Sequence, residues 1–157
     1  VSLPVRPETD RRIDDLLARF PQKGSALLPA LYLIQEETGW VSEASMEYVA
    51  GKIGLSPAFV SGVVSFYTMF HRQPVGRQHV QICRTLPCAL RGADALMAHA
   101  AKRLGVKDGQ TRADGAYSLA SVECLGACDR APFVQINDLE FGPVDPSGLD
   151  DILKRLE

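Results

Sequence analysis

Four cysteines, arranged as two close pairs, constrain this chain more than any other feature of its sequence. Cys83-Arg-Thr-Leu-Pro-Cys88 and Cys124-Leu-Gly-Ala-Cys128 are separated by 35 residues, and there is no further cysteine. At 157 residues and 46% apolar content, the chain can bury a core without covalent staples. A reducing compartment would disfavour structural disulfides as well. The thiols therefore point to a bound metal. Four thiolates are the number a [2Fe-2S] cluster requires, two for each iron. Four can also close a tetrahedron around one zinc ion. A thioredoxin-type redox centre needs C-x-x-C, which is absent, and the spacing departs from the plant-type ferredoxin pattern. Spacing alone favours iron and sulfur, with structural zinc and reactive thiols as the alternatives.

The remaining sequence explains how two distant pairs can meet. Residues from about Thr9 to Tyr67 read as a run of short helices. Ile13, Leu16, Leu17 and Phe20 carry the first apolar stripe, stopped by Pro21. Leu27, Ala30, Leu31 and Ile34 carry the second, ending near Gly39. Ser42 is the expected N-cap of a third helix with Met46, Val49, Ala50 and Ile53 inside and Gly54 at its end. Ser56 caps the fourth, Pro57 takes its first position, and Val60, Val63 and Val64 face inward. Gln73, Pro74, Gly76 and Arg77 read as a linker.

From there the order is strand, helix, strand, hairpin, helix. His79 to Cys83 is a strand, and a helix starting at Ala89 would place its positive end beside Cys88. Tyr117 to Val122 is a second strand, parallel to the first because a helix intervenes. Asp108 to Gly115 reads as a polar loop. Phe133 to Ile136 and Leu139 to Phe141 form a hairpin around Asn137-Asp138, and Ser147 is the expected cap of the last helix. Each cysteine pair follows a strand, and strand ends in an open α/β sheet converge on one edge. The expectation is thus an α+β chain, with a helical bundle over residues 1–76 and, over 77–157, a domain in the β-α-β-β-α order of a thioredoxin-like fold, a [2Fe-2S] domain on the favoured reading of its cysteines. Gly126 lets backbone approach sulfur. Leu86, Pro87, Leu125 and Ala127 suggest an apolar wall, with Arg84 and Arg130 at the rim.

Several function classes are disfavoured. The net charge is −2, and residues 1–77 carry eight basic and eight acidic side chains. The helices Ser45 to Gly54 and Ser56 to Phe66 superficially suggest a helix-turn-helix, but the second contains no Lys or Arg to meet phosphate, so nucleic acid is not an expected partner. No apolar run is long enough to cross a membrane and the N-terminal stretch lacks a signal-peptide core, which predicts a cytoplasmic chain without direct membrane insertion. His71, His79 and His99 are isolated from one another, and no histidine replaces a cysteine as in a Rieske centre. Phe66, Tyr67, Met69 and Phe70 read first as internal packing and second as a docking surface. No G-x-G-x-x-G loop is present for a dinucleotide. Pro132, opening a strand beside the second cysteine pair, is left open between cis, as in thioredoxin-like folds, and trans, the general preference of an X-Pro bond.

The stretches LLPALYLIQEETGWV, GVVSFYTMF, QICRTLPCALRGA and VECLGACDRAPFVQIND resemble, over nearly the whole chain, the small thioredoxin-like [2Fe-2S] subunit of NADH:quinone oxidoreductase, respiratory complex I. The module is also similar to small subunits of NAD-dependent formate dehydrogenases and of NAD-reducing or bifurcating hydrogenases. The resemblance implies one [2Fe-2S] cluster bound by Cys83, Cys88, Cys124 and Cys128, the first pair on one iron and the second on the other. It implies partners too: a flavin-binding NADH-oxidising subunit carrying FMN and NADH, and further iron-sulfur subunits in the peripheral arm of a membrane-associated complex. Catalysis would belong to the complex and not to the isolated chain. A purely structural subunit, with a redox-silent cluster or a zinc site, is the different-class alternative.

Overall fold

Local signals account for the first half of the chain in the computed structural model, which describes residues 5–156. Helix α1 (Pro7–Arg19) has proline in its first turn, and α2 (Leu27–Thr38) ends on Gly39 at φ +81°. In α3 (Glu43–Ile53) the Ser42 hydroxyl accepts from the Ser45 N–H, and Gly54 closes the helix at φ +81°. Ser56 caps α4 (Pro57–Phe66) through the Phe59 N–H. The apolar stripes of these helices form one core around Ile13, Leu31, Ile34, Val49, Val60 and Phe70. Met46, expected inside, is only partly buried at its edge. Lys52 bridges Asp10 and Asp14 at 2.7 and 2.8 Å, tying α3 to α1.

The chain divides into two compact units, one ending at Pro74 and one beginning at Val75. Gly76, read in the sequence as linker, is buried in the second unit, where its N–H donates to Ser118 Oγ at 3.1 Å. A Cβ there would come within 2.4 Å of the Tyr117 backbone, so only glycine permits this approach.

The second unit is a five-stranded sheet in the order β2-β3-β1-β4-β5. Strand β1 (Gln78–Cys83) lies at its centre, parallel to β3 (Tyr117–Val122) and antiparallel to β4 (Val134–Ile136). The hairpin to β5 (Leu139–Phe141) turns through Asn137 at φ +53°. Helices α5 (Leu86–Leu90), α6 (Ala93–Leu104) and α7 (Pro146–Leu156) complete it. Its separate core gathers Val80, Ile82, Leu96, Leu119, Phe133, Ile136 and Leu149.

Three sequence expectations need correction. The segment Asp108 to Gly115 contains a short edge strand, β2 (Gln110–Thr111), held by pairing with Leu119 and Ser118. No helix starts at Ala89: Cys88 lies inside the five-residue α5, and Gly92 at φ +98° separates it from α6. The last helix is capped by Asp145, not Ser147, because the Gly148 N–H donates to Asp145 Oδ1 at 2.7 Å while Ser147 lies within the helix. The isomer left open at Pro132 is cis, as is the Gly142-Pro143 bond. The intrinsic preference of an X-Pro bond is small, and here the Pro132 carbonyl accepts from the Val144 N–H at 2.9 Å.

Candidate metal centre

Parallel pairing of β1 and β3 is what delivers both cysteine pairs to one edge. Cys83 is the last residue of β1 and registers with Val122, two positions before Cys124. The Arg84 N–H donates to the Val122 carbonyl at 2.9 Å, carrying the pairing one step further. Cys83 and Cys88 are buried, 2% and 1% exposed. Cys124 and Cys128 sit in the exposed loop after β3, where Gly126 at φ +80° makes the turn and directs its N–H to Cys124 Sγ at 3.4 Å.

The two pairs are joined by backbone. The Leu125 N–H, from the second loop, favours the Cys83 thiolate, and the Phe133 N–H favours that of Cys88. These donors, together with Thr85, do for the sulfurs what the sequence assigned to a helix dipole at Ala89. Burial disfavours the Cys83 thiolate, yet the Thr85 hydroxyl, the Leu125 and Thr85 N–H groups and the Cys88 thiol outweigh it and lower its pKa. Cys88 moves the other way, pushed up by burial and by its neighbour Cys83. Cys128 is pushed up chiefly by the hydrogen bond and charge of Cys124. Thiols that oppose one another's ionisation in this way form a donor set suited to cations.

Spacing identifies what kind of cation arrangement fits. All four thiols are free, and the Sγ atoms of Cys124 and Cys128 are 3.7 Å apart. That is far beyond a disulfide bond. Two thiolates on one tetrahedral ion, with metal–sulfur bonds of about 2.3 Å, stand roughly 3.8 Å apart. Cys83 and Cys88 are near enough for each to shift the ionisation of the other. Among the described residues, no three Cys, His, Asp or Glu side chains gather around a single point. Four thiols in two pairs suit a two-iron cluster, with two thiolates to each iron, or a single zinc ion that draws all four together.

The surroundings differ from the sequence reading in detail. Leu125 and Ala127 pack against the core, but Leu86 is 70% exposed and forms no wall. Arg84 pairs with Glu123 at 2.6 Å, both side chains largely in solvent, and such a pair contributes little. The Arg130 guanidinium lies over the Phe133 ring, 5.0 Å from its centroid. The histidines stay apart. His79 is buried against Ser118 at 2.6 Å, and His99 bonds Asp150 at 3.0 Å. His71 has its pKa lowered by burial. Of the aromatic cluster, Phe70 is buried against Tyr32 with ring centroids 5.2 Å apart, while Phe66 is exposed. Sequence reasoning missed Thr85, Leu125 N–H and Phe133 N–H as sulfur donors. Only Thr85 left a trace, a hydroxyl two residues after a cysteine.

Known proteins resemble this chain in sequence and in fold. A family model described as thioredoxin-like [2Fe-2S] ferredoxin matches residues 13–157. An NADH-quinone oxidoreductase subunit of Rhizobium meliloti is 41% identical over 142 residues, covering 90% of this chain and 84% of that protein. An NADH-quinone oxidoreductase subunit of Thermus thermophilus is 38% identical over 128 residues, covering 80% and 71%. Among solved structures, an NAD+-reducing [NiFe]-hydrogenase in the air-oxidized state superposes with a TM-score of 0.72 at 22% identity, over 83% of this chain and 22% of that one. That likeness is one of fold.

Proposed function

Because the chain belongs to the thioredoxin-like [2Fe-2S] ferredoxin family, we propose that Cys83 and Cys88 hold one iron, and Cys124 and Cys128 the other, of a cluster that makes this chain a one-electron carrier in an NADH-oxidising complex. The observation that carries the reading is the arrangement of the thiols after two neighbouring parallel strands, a buried pair following β1 and an exposed pair following β3 with its sulfurs 3.7 Å apart. When bound, a [2Fe-2S] group takes up and returns electrons singly.

The chain's own residues set the conditions for that exchange. Cys83 and Cys88 lie in the core and keep water from the inner sulfurs. N–H groups of Thr85, Leu125 and Phe133 face the sulfur charge that burial would otherwise penalise. Cys124 and Cys128 bring the other end of the site to the surface, within reach of a donor or acceptor. The sequence has no dinucleotide loop of its own, so NADH and FMN belong to a partner subunit, with further iron-sulfur subunits beyond it. Relatives named as subunits of NADH-quinone oxidoreductase support that assignment at 38–41% identity. The hydrogenase likeness is in fold alone, so a quinone-reducing complex is the parent proposed here. No helix among the described residues is long and apolar enough to cross a membrane. Kinship with NADH-quinone oxidoreductase subunits supports a place in the cytoplasmic peripheral arm of such a complex.

Metal and sulfide analysis tests the reading. Protein purified without oxygen should be reddish brown, contain two irons and two acid-labile sulfides per chain, and give a spin-half signal on reduction. Stoichiometric zinc without labile sulfide would overturn it.

A further inference from the structure

Thr85 departs from the ordinary behaviour of its position. It stands at the N-cap of α5 with extended backbone angles, φ −70° and ψ 166°. A threonine so placed normally turns its hydroxyl onto an N–H two or three residues ahead. Thr85 makes no such bond. Its Oγ1 lies instead 3.2 Å from Cys83 Sγ.

We propose that Thr85 sets the reduction potential of the cluster by donating its hydroxyl hydrogen to the Cys83 sulfur, an inference that rests on Cys83 being a ligand. A metal-bound cysteine has lost its S–H proton, so of the two atoms only the hydroxyl can donate. Reduction adds negative charge that the sulfurs share. A donor aimed at sulfur therefore binds the reduced form more strongly than the oxidised one and raises the potential. Cys83 is 2% exposed, so solvent cannot replace the hydroxyl, and low local polarity strengthens its effect. Backbone N–H groups of Thr85 and Leu125 act on the same sulfur. The hydroxyl differs from them in being removable by substitution without altering the main chain.

The experiment compares full-length, cluster-loaded wild type with Thr85→Val, which keeps the shape and loses the donor, and Thr85→Ser, which keeps the donor. Each is titrated anaerobically against electrode potential, followed by visible absorption and the spin-half signal. At the wild-type midpoint, the reduced-to-oxidised ratio of Thr85→Val should fall several-fold; a tenfold fall corresponds to about 59 mV for one electron. Thr85→Ser should stay within about twofold of wild type. A purely structural role would change thermal stability and leave the midpoint where it was. An unchanged midpoint in a fully loaded Thr85→Val protein would refute the inference. If that variant fails to load, Thr85→Ala is judged by the same criterion, and failure of both to load would also refute it, because a donor that only tunes potential is not needed for loading. Wild type lacking iron and labile sulfide would instead refute the ligand assignment itself.

Discussion

At the scale of single residues, two kinds of group meet at the cysteine edge, thiols proposed as ligands and backbone N–H groups that favour their ionised form. A cysteine declares its chemistry by type and spacing. Leu125 and Phe133 contribute only backbone N–H groups, which every non-proline residue carries. What selects them is the pairing of distant strands, visible in the Cys83–Val122 register and in the bond from the Cys83 N–H to the Phe133 carbonyl at 3.0 Å. Replacing Cys124 with Ala leaves its iron with one protein thiolate from that loop, so the visible cluster spectrum of Cys124→Ala should be lost or severely weakened. His99 meets Asp150 and no cysteine. His99→Gln should therefore keep the full spectrum, and absorption of the two purified proteins checks both outcomes.

At the scale of elements, local signals worked where the structure itself is local. Ser42, Gly54, Ser56 and Pro57 occupy the cap and first-turn positions assigned to them, because capping is decided within four residues. The break between α5 and α6 was hidden by the apolar run Leu86-Pro87-Cys88-Ala89-Leu90, which continues the helical pattern up to Gly92. Strand β2 has two residues and no periodicity of its own; its existence depends on β3. The misplaced cap of α7 was in principle readable, since Asp145 precedes a proline that favours the first helical turn. Asp145→Ala should lower the melting temperature by a few degrees, whereas Ser147→Ala should lower it less. The Gly148 N–H and the Ser147 hydroxyl hold the Asp145 carboxyl below its ordinary pKa. Its contribution is therefore present above the unfolded-state pKa and is lost as pH falls through the lower folded value. Thermal melts of wild type and Asp145→Ala should converge on acidification.

At the scale of the whole molecule, two cores are built from separate stretches of chain. One runs from Ile13 to Phe70, the other from Val80 to Leu153. The alternation from helices to a β-α-β order made that division visible in the sequence, since each pattern implies its own buried face. Neither stretch supplies a dinucleotide loop. The isolated chain should accept and release one electron from a chemical reductant yet leave NADH unoxidised until a flavin-bearing subunit is added, which NADH absorbance reports directly. In the assembled complex, rapid freezing after NADH addition separates a carrier from a structural subunit: the spin-half signal of this centre should arise during turnover.

The unequal burial of the thiols bears, finally, on how a centre so held would be lost. Cys83 and Cys88 are buried, and Cys124 and Cys128 are exposed. With these four as ligands, a chelator or oxidant in solvent would meet the outer sulfurs first. Decay would then begin at the iron that the proposed assignment gives to Cys124 and Cys128.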